Sequence, residues 1–188
     1  MTKTTRRVVG AAVVIAVLGW TSGAAALESD AAAAGQPSLM APDARVRGVS
    51  ARVVMIINQA AEQSETFRGL VDRIGTTDGI VYVAEGQCGH GVRACLLDTM
   101  TIAGPNRVLR ILVDPRKADR DLMGSIGHEL QHAVEVLSHR SVRSYDAMIL
   151  LFKKMCDGCG RRFETDAAIA TGNAVRAELR NSATERRE

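Results

Sequence analysis

The sequence is poor in aromatic residues, and its surplus of positive charge is confined to its first few residues. Aromatic residues make up 3% of the 188 residues. Lys and Arg total 24 against 21 Asp and Glu, but Lys3, Arg6 and Arg7 lie in a start that resembles an export signal. Without them the chain is formally neutral, which argues against nucleic-acid binding because that requires a basic surface. No internal repeat is evident, and about 160 remaining residues fit one domain.

Residues 1–26 have the layout of a secretory signal peptide. The basic start is followed by an apolar run from Val8 to Trp20 and then by small residues up to Ala26. This order is typical of a cleaved signal, and the run is short for a membrane span. We predict cleavage after Ala26, with Ala25 nearly as suitable; an uncleaved anchor is the alternative. The sequence therefore predicts export to the periplasm or beyond the cell, without a stable membrane span after signal removal.

Residues 27–47 are rich in Ala, contain Pro37 and Pro42, and lack sustained periodicity. Such a composition favours a flexible linker. We place a single domain at 48–188.

The four cysteines are an even number in a chain predicted to be exported, which favours disulfides. We prefer the local pairs Cys88–Cys95 and Cys156–Cys159, because each closes a short loop that contains glycine. Two alternatives stay open. All four thiolates could bind a structural zinc, or Cys156 and Cys159 could be a redox pair.

Periodicity predicts two helices and three extended segments in the first part of the domain. Helices are expected from Ser50 and from Ser64, where apolar residues recur at helical spacing. Extended segments are expected at 80–84, 96–102 and 108–113, with a Gly-Pro-Asn turn that predicts a hairpin between the last two.

Three further helices are expected in the second part. Asp119 or Asp121 is a suitable N-cap for a helix that continues to about Leu137. The other two are expected over 145–155 and from about 163 to 179.

The most informative motif lies inside the first of these three helices, where residues 128–132 read H-E-L-Q-H. His128 and His132 are four residues apart, so a helix places both imidazoles on one face, where they can bind one metal ion. Glu129 would then lie beside the metal, where it could take a proton from a metal-bound water. Gly127 is expected to leave room beside the metal.

Residues 125–134, S-I-G-H-E-L-Q-H-A-V, resemble the zincin superfamily of zinc metallopeptidases, in which uncharged residues surround this motif. The resemblance is strong over these residues and looser in the order of the other elements. It implies an α+β, zincin-like domain in which a small, mostly antiparallel sheet packs on helices and the motif lies on a central helix.

A third zinc ligand is implied by similarity to the gluzincin branch, in which a Glu on a separate downstream helix completes the site. Glu164, at the start of the last predicted helix, matches that role. The sequence departs from the gluzincin pattern in two ways. Glu164 follows His132 by 32 positions, and Ala168 stands where those enzymes often carry Asp. The alternative ligands are His139, Glu135 and Asp166. His139 ranks above the other two, which are not ordered further.

The resemblance implies hydrolysis by a zinc-activated water, with Glu129 as the general base. The donor for the oxyanion is left open among Tyr145, His139 and His90. The strand at 108–113 could present an edge to an extended peptide, or it could be an ordinary interior strand.

We therefore expect an exported zinc-dependent hydrolase, most plausibly a metallopeptidase that acts on a peptide or protein. The alternatives are a zincin-like domain that binds metal or a partner without turnover, and a disulfide-stabilised binding module in which the motif is incidental. The low aromatic content and the lack of a long extra domain argue for a minimal enzyme.

Overall fold

Strands and helices follow one another in the order β-α-α-β-β-β-β-α-α-α in this computed structural model, which describes residues 43–116, 119–155 and 163–185. The α+β class predicted from the sequence is confirmed. The strands are β1 Val46–Gly48, β2 Gly79–Glu85, β3 Ala94–Leu96, β4 Thr101–Ala103 and β5 Asn106–Val113. The helices are α1 Ala51–Gln63, α2 Glu65–Gly75, α3 Arg120–Leu137, α4 Tyr145–Met155 and α5 Asp166–Glu185.

The first two helices begin at the serines expected to cap them. The hydroxyl of Ser50 accepts a hydrogen bond from the Val53 amide at 3.3 Å, and that of Ser64 accepts one from the Phe67 amide at 3.0 Å. Each bond satisfies an amide that has no partner within its helix. The residues at helical spacing are buried: Val53, Ile56, Ile57, Ala60, Phe67, Leu70 and Ile74.

The sheet is mixed, and the prediction of a mostly antiparallel sheet is wrong. The strand order is β1-β2-β5-β3, and β4 also pairs with β5. β1 and β2 are parallel, and the longest ladder, between β2 and β5, is parallel as well. Only the short ladders of β3 and β4 with β5 are antiparallel. The sequence did not predict β1, and so it did not predict the crossover through α1 and α2 that makes β1 and β2 parallel. β2 and β5 are parallel because the 86–105 segment between them, which contains β3 and β4, returns the chain to the same end of the sheet.

The strand β5 lies in the interior of the sheet, so the idea that it presents an edge to a peptide is wrong. It pairs with β2 on one side and with β3 and β4 on the other. The antiparallel strand β3 packs against α3, as does β5.

β1 includes Val46 and Arg47, the last two residues of the predicted linker, and Val46 is fully buried. The rest of the linker up to residue 42, the predicted signal peptide and the pair Cys156–Cys159 lie outside the described residues. Among the described helices, none is long and apolar enough to cross a membrane.

α3 is the central helix, and it packs against α2, α5, β3 and β5. Asp119 caps it, because its carboxylate accepts a hydrogen bond from the Leu122 amide at 2.9 Å. Gly127 faces α5, since a Cβ added there would lie 2.9 Å from Cγ2 of Val175. The expectation that this glycine leaves room for a metal is therefore wrong; it allows the two helices to approach closely.

The C-terminal end of α3 is held by Arg107 of β5, whose side chain is fully buried. The guanidinium donates to the carboxylate of Asp78, with a closest distance of 2.6 Å. It also donates to four backbone carbonyls, those of Val136, Leu137, His139 and Val142, at 2.7–3.2 Å. Val136 and Leu137 are the last residues of α3, where carbonyls lack an i+4 donor within the helix, and His139 and Val142 lie in the segment that follows. One cation therefore joins the sheet to the helix that carries the motif.

Replacing Arg107 with Met should lower the free energy of unfolding by about 3–5 kcal/mol, because it leaves buried carbonyls and the Asp78 carboxylate without their donor. Urea denaturation followed by circular dichroism measures this change. Arg110→Met is the matched control, since Arg110 is exposed on the same strand and should change stability by less than about 0.5 kcal/mol. Equal effects of both substitutions would contradict this role of Arg107.

Asp78 should make the stability depend on acid pH. Its hydrogen bond with Arg107 holds the pKa of the carboxyl below its ordinary value, which is about 3.9 in an unfolded chain. The stabilisation is therefore complete above that value and is lost as the pH falls through the lower pKa of the folded protein. We expect the stability gap between wild type and Asp78→Asn to narrow as the pH falls below about 4. A gap that stays constant in urea titrations from neutral to acid pH would contradict this.

Candidate metal centre

The two motif histidines lie on one face of α3 with their rings close together. Nε2 of His128 and Nε2 of His132 are 3.1 Å apart, and the ring centroids are 4.8 Å apart. His132 is buried and His128 is partly buried. Phe152 of α4 covers the ring of His132 edge-on, with centroids 5.4 Å apart. The helical spacing thus gives the shared face that the sequence predicted.

Glu164 lies beside this pair, with Oε2 3.1 Å from Nε2 of His128. The donor atoms of His128, His132 and Glu164 all lie within 4.8 Å of one another. Among the described residues, this trio is the group of His, Cys, Asp and Glu side chains whose geometry could hold a metal ion. The structure therefore brings Glu164 to the histidines, as the sequence predicted.

Glu164 precedes the last helix and does not open it, which corrects the expectation from the sequence. α5 begins at Asp166, and the Thr165 hydroxyl caps it by accepting from the Ala168 amide at 3.1 Å. The side chain of Glu164 is half exposed, at 50%. The carboxylate therefore reaches His128 from the connection that enters α5.

The three alternative ligands lie elsewhere. Oε2 of Glu135 lies 2.9 Å from Nδ1 of His132, on the opposite side of the ring from Nε2. His139 is exposed just beyond α3, and its carbonyl accepts from Arg107. Asp166 is exposed on the first turn of α5. None of the three belongs to the trio of donor atoms.

Glu135 is the centre of a buried hydrogen-bond network that the sequence did not predict. Besides contacting His132, its carboxylate accepts from the Thr165 hydroxyl at 2.7 Å and from the Gln131 amide at 3.3 Å. Burial raises the pKa of the Glu135 carboxyl, but the bonds from His132 and Thr165 outweigh it and hold the pKa below its ordinary value. A carboxylate beside Nδ1 favours the tautomer that carries its proton there, so Nε2 has a free lone pair.

Burial lowers the pKa of His128, and the nearby His132 lowers it further. Its ring also hydrogen-bonds to the backbone of Ala168. The neutral imidazole that this environment favours is the form that binds metals.

Glu129 lies on the other side of the histidines, with Oε1 4.0 Å from Nε2 of His128. Its Oε2 accepts a hydrogen bond of 2.7 Å from the backbone amide of Leu96 on β3. Burial raises the pKa of this carboxyl to about 7, and the Leu96 amide and His132 oppose that rise. A cation bound beside Glu129 would lower the pKa again.

The site opens into a cleft of about 500 Å³. One wall consists of β3 and of the preceding loop, which the Cys88–Cys95 disulfide closes. This disulfide confirms the first predicted cysteine pair. The opposite wall is apolar and consists of Met148, Ile149, Phe152 and Phe163. Of the three candidate oxyanion donors, His90 lines the cleft, and Tyr145 and His139 are not among its lining residues.

Comparison of the chain with protein-family models, curated proteins and solved structures found no match.

Zinc added as a probe ion should bind about tenfold more weakly to Glu135→Gln, the lower end of the range for partners of metal ligands, because the amide keeps an acceptor but loses the charge that orients His132. Competition with a chromophoric chelator measures the affinity. Glu62→Gln, on the exposed face of α1, is the control and should not change it. Unchanged affinity in the Glu135 variant would contradict an orienting role.

Proposed function

We propose that the protein is an exported zinc-dependent hydrolase, and specifically a metallopeptidase related to the gluzincin branch of the zincins. The observation that supports this most directly is the convergence of two Nε2 atoms and a Glu164 oxygen within 4.8 Å, with the Glu129 carboxylate beside them. Two imidazoles and one carboxylate are the ligand set of many catalytic zinc sites, which leave a fourth position open.

The distances fit zinc. Two zinc–nitrogen bonds of about 2.0–2.1 Å at a tetrahedral angle place the nitrogens roughly 3.3 Å apart, close to the 3.1 Å between the histidine Nε2 atoms. His128, His132 and Glu164 would hold the ion, with Glu135 and the Ala168 backbone as partners of the two rings. Ala168 replaces the Asp that gluzincins often carry, and its backbone hydrogen bond gives His128 a partner without that carboxylate.

Bound zinc would supply a Lewis acid that polarises a carbonyl and makes a coordinated water acidic near neutral pH. Glu129 would act as the general base: its Oε2 is held by Leu96, and Oε1 stays directed toward the histidines. From there the carboxylate could accept the proton of the attacking water and pass it to the leaving amine. His90 is the candidate oxyanion donor that the cleft supports.

An extended peptide is the substrate that the cleft fits best. In the described part of the sheet, β3 pairs with β5 on one side only. Apart from the Leu96 amide, which Glu129 accepts from, the backbone groups on its other side could pair with a peptide. The facing wall of Met148, Ile149, Phe152 and Phe163 would accept an apolar side chain of that peptide.

Export agrees with the Cys88–Cys95 disulfide, because disulfides persist mainly in oxidising compartments. The signal-like sequence at 1–26 supports the same location.

Glu129→Gln should reduce hydrolysis of an unfolded protein substrate by about 10²–10⁴-fold, the usual contribution of a general base, with one zinc per chain retained. Elemental analysis gives the zinc content, and release of new amino termini gives the rate. Glu62→Gln is again the control. A metal-binding domain without turnover would instead bind zinc and give equal background rates for wild type and Glu129→Gln.

Glu164→Ala should lower zinc affinity by at least about 100-fold, since loss of a direct ligand should cost more than loss of the outer partners. His139→Ala is the control and should keep full affinity. If the Glu164 variant keeps zinc and the His139 variant loses it, the third ligand is His139 and not Glu164. Absence of zinc from wild type would leave only the disulfide-stabilised binding module.

A further inference from the structure

The disulfide lies immediately before the residue whose backbone holds Glu129. Cys95 is bonded to Cys88, and the next residue, Leu96, donates its amide to Oε2 of Glu129 at 2.7 Å. This is the hydrogen bond that fixes one oxygen of the buried carboxylate, whose side chain is 13% exposed. A disulfide cysteine and the amide that holds the proposed general base are thus neighbours on the same strand.

The register of β3 directs the Leu96 amide toward Glu129. The Arg93 carbonyl accepts from the Asp114 amide at 2.9 Å, and the Leu97 amide donates to the Arg110 carbonyl at 2.8 Å. In an antiparallel ladder alternate residues direct their backbone groups to opposite sides, so Cys95 faces β5 like Arg93 and Leu97, whereas Ala94 and Leu96 face away. The Leu96 amide therefore points away from β5, toward α3, and any shift of β3 moves the donor away from the carboxylate.

β3 is held by its packing on α3, by the Arg93–Asp119 ion pair just before it, at 3.2 Å, and by a short ladder with β5. The strand has three residues, Ala94–Leu96, and one partner strand in the described sheet. The loop before it contains Gly89 and Gly91 at positive φ, and residues 89–92 are exposed. The disulfide adds a covalent link from Cys95 across this loop to Cys88, whose Sγ contacts the Leu112 carbonyl of β5 at 3.5 Å without donating a hydrogen bond.

We propose that the Cys88–Cys95 disulfide and the Leu96 amide position Glu129, so that the activity depends on the oxidised state of this cysteine pair. The dependence of activity on this disulfide rests on the proposed function, in which Glu129 is the general base. Leu96, Cys88 and Cys95 act through Glu129 and hold neither the metal nor the substrate carbonyl. The proposed metal ligands lie on α3 and before α5, so zinc should stay bound when the disulfide opens.

Opening the bond requires a reductant such as a small dithiol. The dithiol supplies two electrons and two protons, the S–S bond breaks, Cys88 and Cys95 become thiols, and the reagent becomes a cyclic disulfide. Because Cys156 and Cys159 could also react, the double variant Cys88→Ser/Cys95→Ser separates the effect of this pair from theirs.

The first test needs no activity. Amide hydrogen exchange at position 96, measured by NMR on the metal-free oxidised protein, reports the bond to Glu129. We expect protection to fall at least tenfold in Cys88→Ser/Cys95→Ser and in Glu129→Ala, while Leu109 in β5 stays protected and shows that the sheet is intact. Unchanged protection at position 96 in the double variant would overturn the proposal. Loss of protection at Leu109 in that variant would also overturn it, because the disulfide would then support the whole sheet.

The second test compares Leu96→Pro with Leu96→Ala in the zinc-loaded protein. Proline removes the amide that Glu129 accepts from, but it removes no ladder bond because that amide does not pair with β5. Alanine keeps the amide and loses a similar side chain. We expect kcat to be about 10- to 100-fold lower in Leu96→Pro than in Leu96→Ala, the range for partners of a catalytic group, with zinc content unchanged. The cysteine double variant should show a similar fall in kcat relative to wild type.

Equal kcat in the proline and alanine variants, or wild-type kcat in the cysteine double variant, would overturn the positioning role and leave the proposed function intact. If oxidised wild type hydrolyses no substrate, the proposed function fails. Amide exchange at position 96 then still decides whether the disulfide positions Glu129.

Discussion

The burial of α3 is the constraint on which the rest of the structure depends. Thirteen of its 18 residues are buried, so each polar group that it carries needs a partner within the protein. Asp119 supplies one at the N-terminal end, and Arg107 satisfies carbonyls at the C-terminal end. Because Arg107 belongs to β5 and is also bound to Asp78, the same interaction fixes the helix along the sheet. The motif residues are therefore placed by a rigid support and not by a loop.

The same requirement explains the arrangement around the histidines. Glu135 is buried on α3 and takes its donors from two elements, His132 on its own helix and Thr165 at the start of α5. Thr165 follows Glu164 directly, so the contact that orients one histidine also brings Glu164 to the other. On the opposite side, the Leu96 amide satisfies Glu129 and ties β3 to α3. One central helix thus aligns two separate parts of the chain, β3 and the connection into α5, around a single cleft.

The features that the sequence predicted are those set by local patterns. Helical periodicity predicted all five helices, although α5 begins at Asp166 and continues to Glu185, past its expected end near 179. The four-residue spacing predicted the shared face of His128 and His132. What it missed depends on contacts between distant segments. Arg107 is charged, so its sequence favours an exposed position, and no neighbouring residue indicates the backbone carbonyls that the buried side chain binds. β1 is three residues long beside an Ala-rich segment, so its parallel pairing has no local signal. Leu96 acts through its backbone amide, which side-chain patterns do not reveal.

The balance of donors and acceptors indicates what the cluster is suited to bind. With its proton on Nδ1 toward Glu135, His132 presents a lone pair at Nε2. That atom and Oε2 of Glu164 each lie 3.1 Å from Nε2 of His128. When the His128 ring is neutral, its Nε2 can donate one proton at most. The two acceptors, Nε2 of His132 and Oε2 of Glu164, therefore share at most one proton from His128. Burial and the neighbouring His132 ring oppose a second proton on His128, because both lower its pKa. A cation between them satisfies all three atoms at once, so this geometry favours a metal over a purely structural hydrogen-bond network.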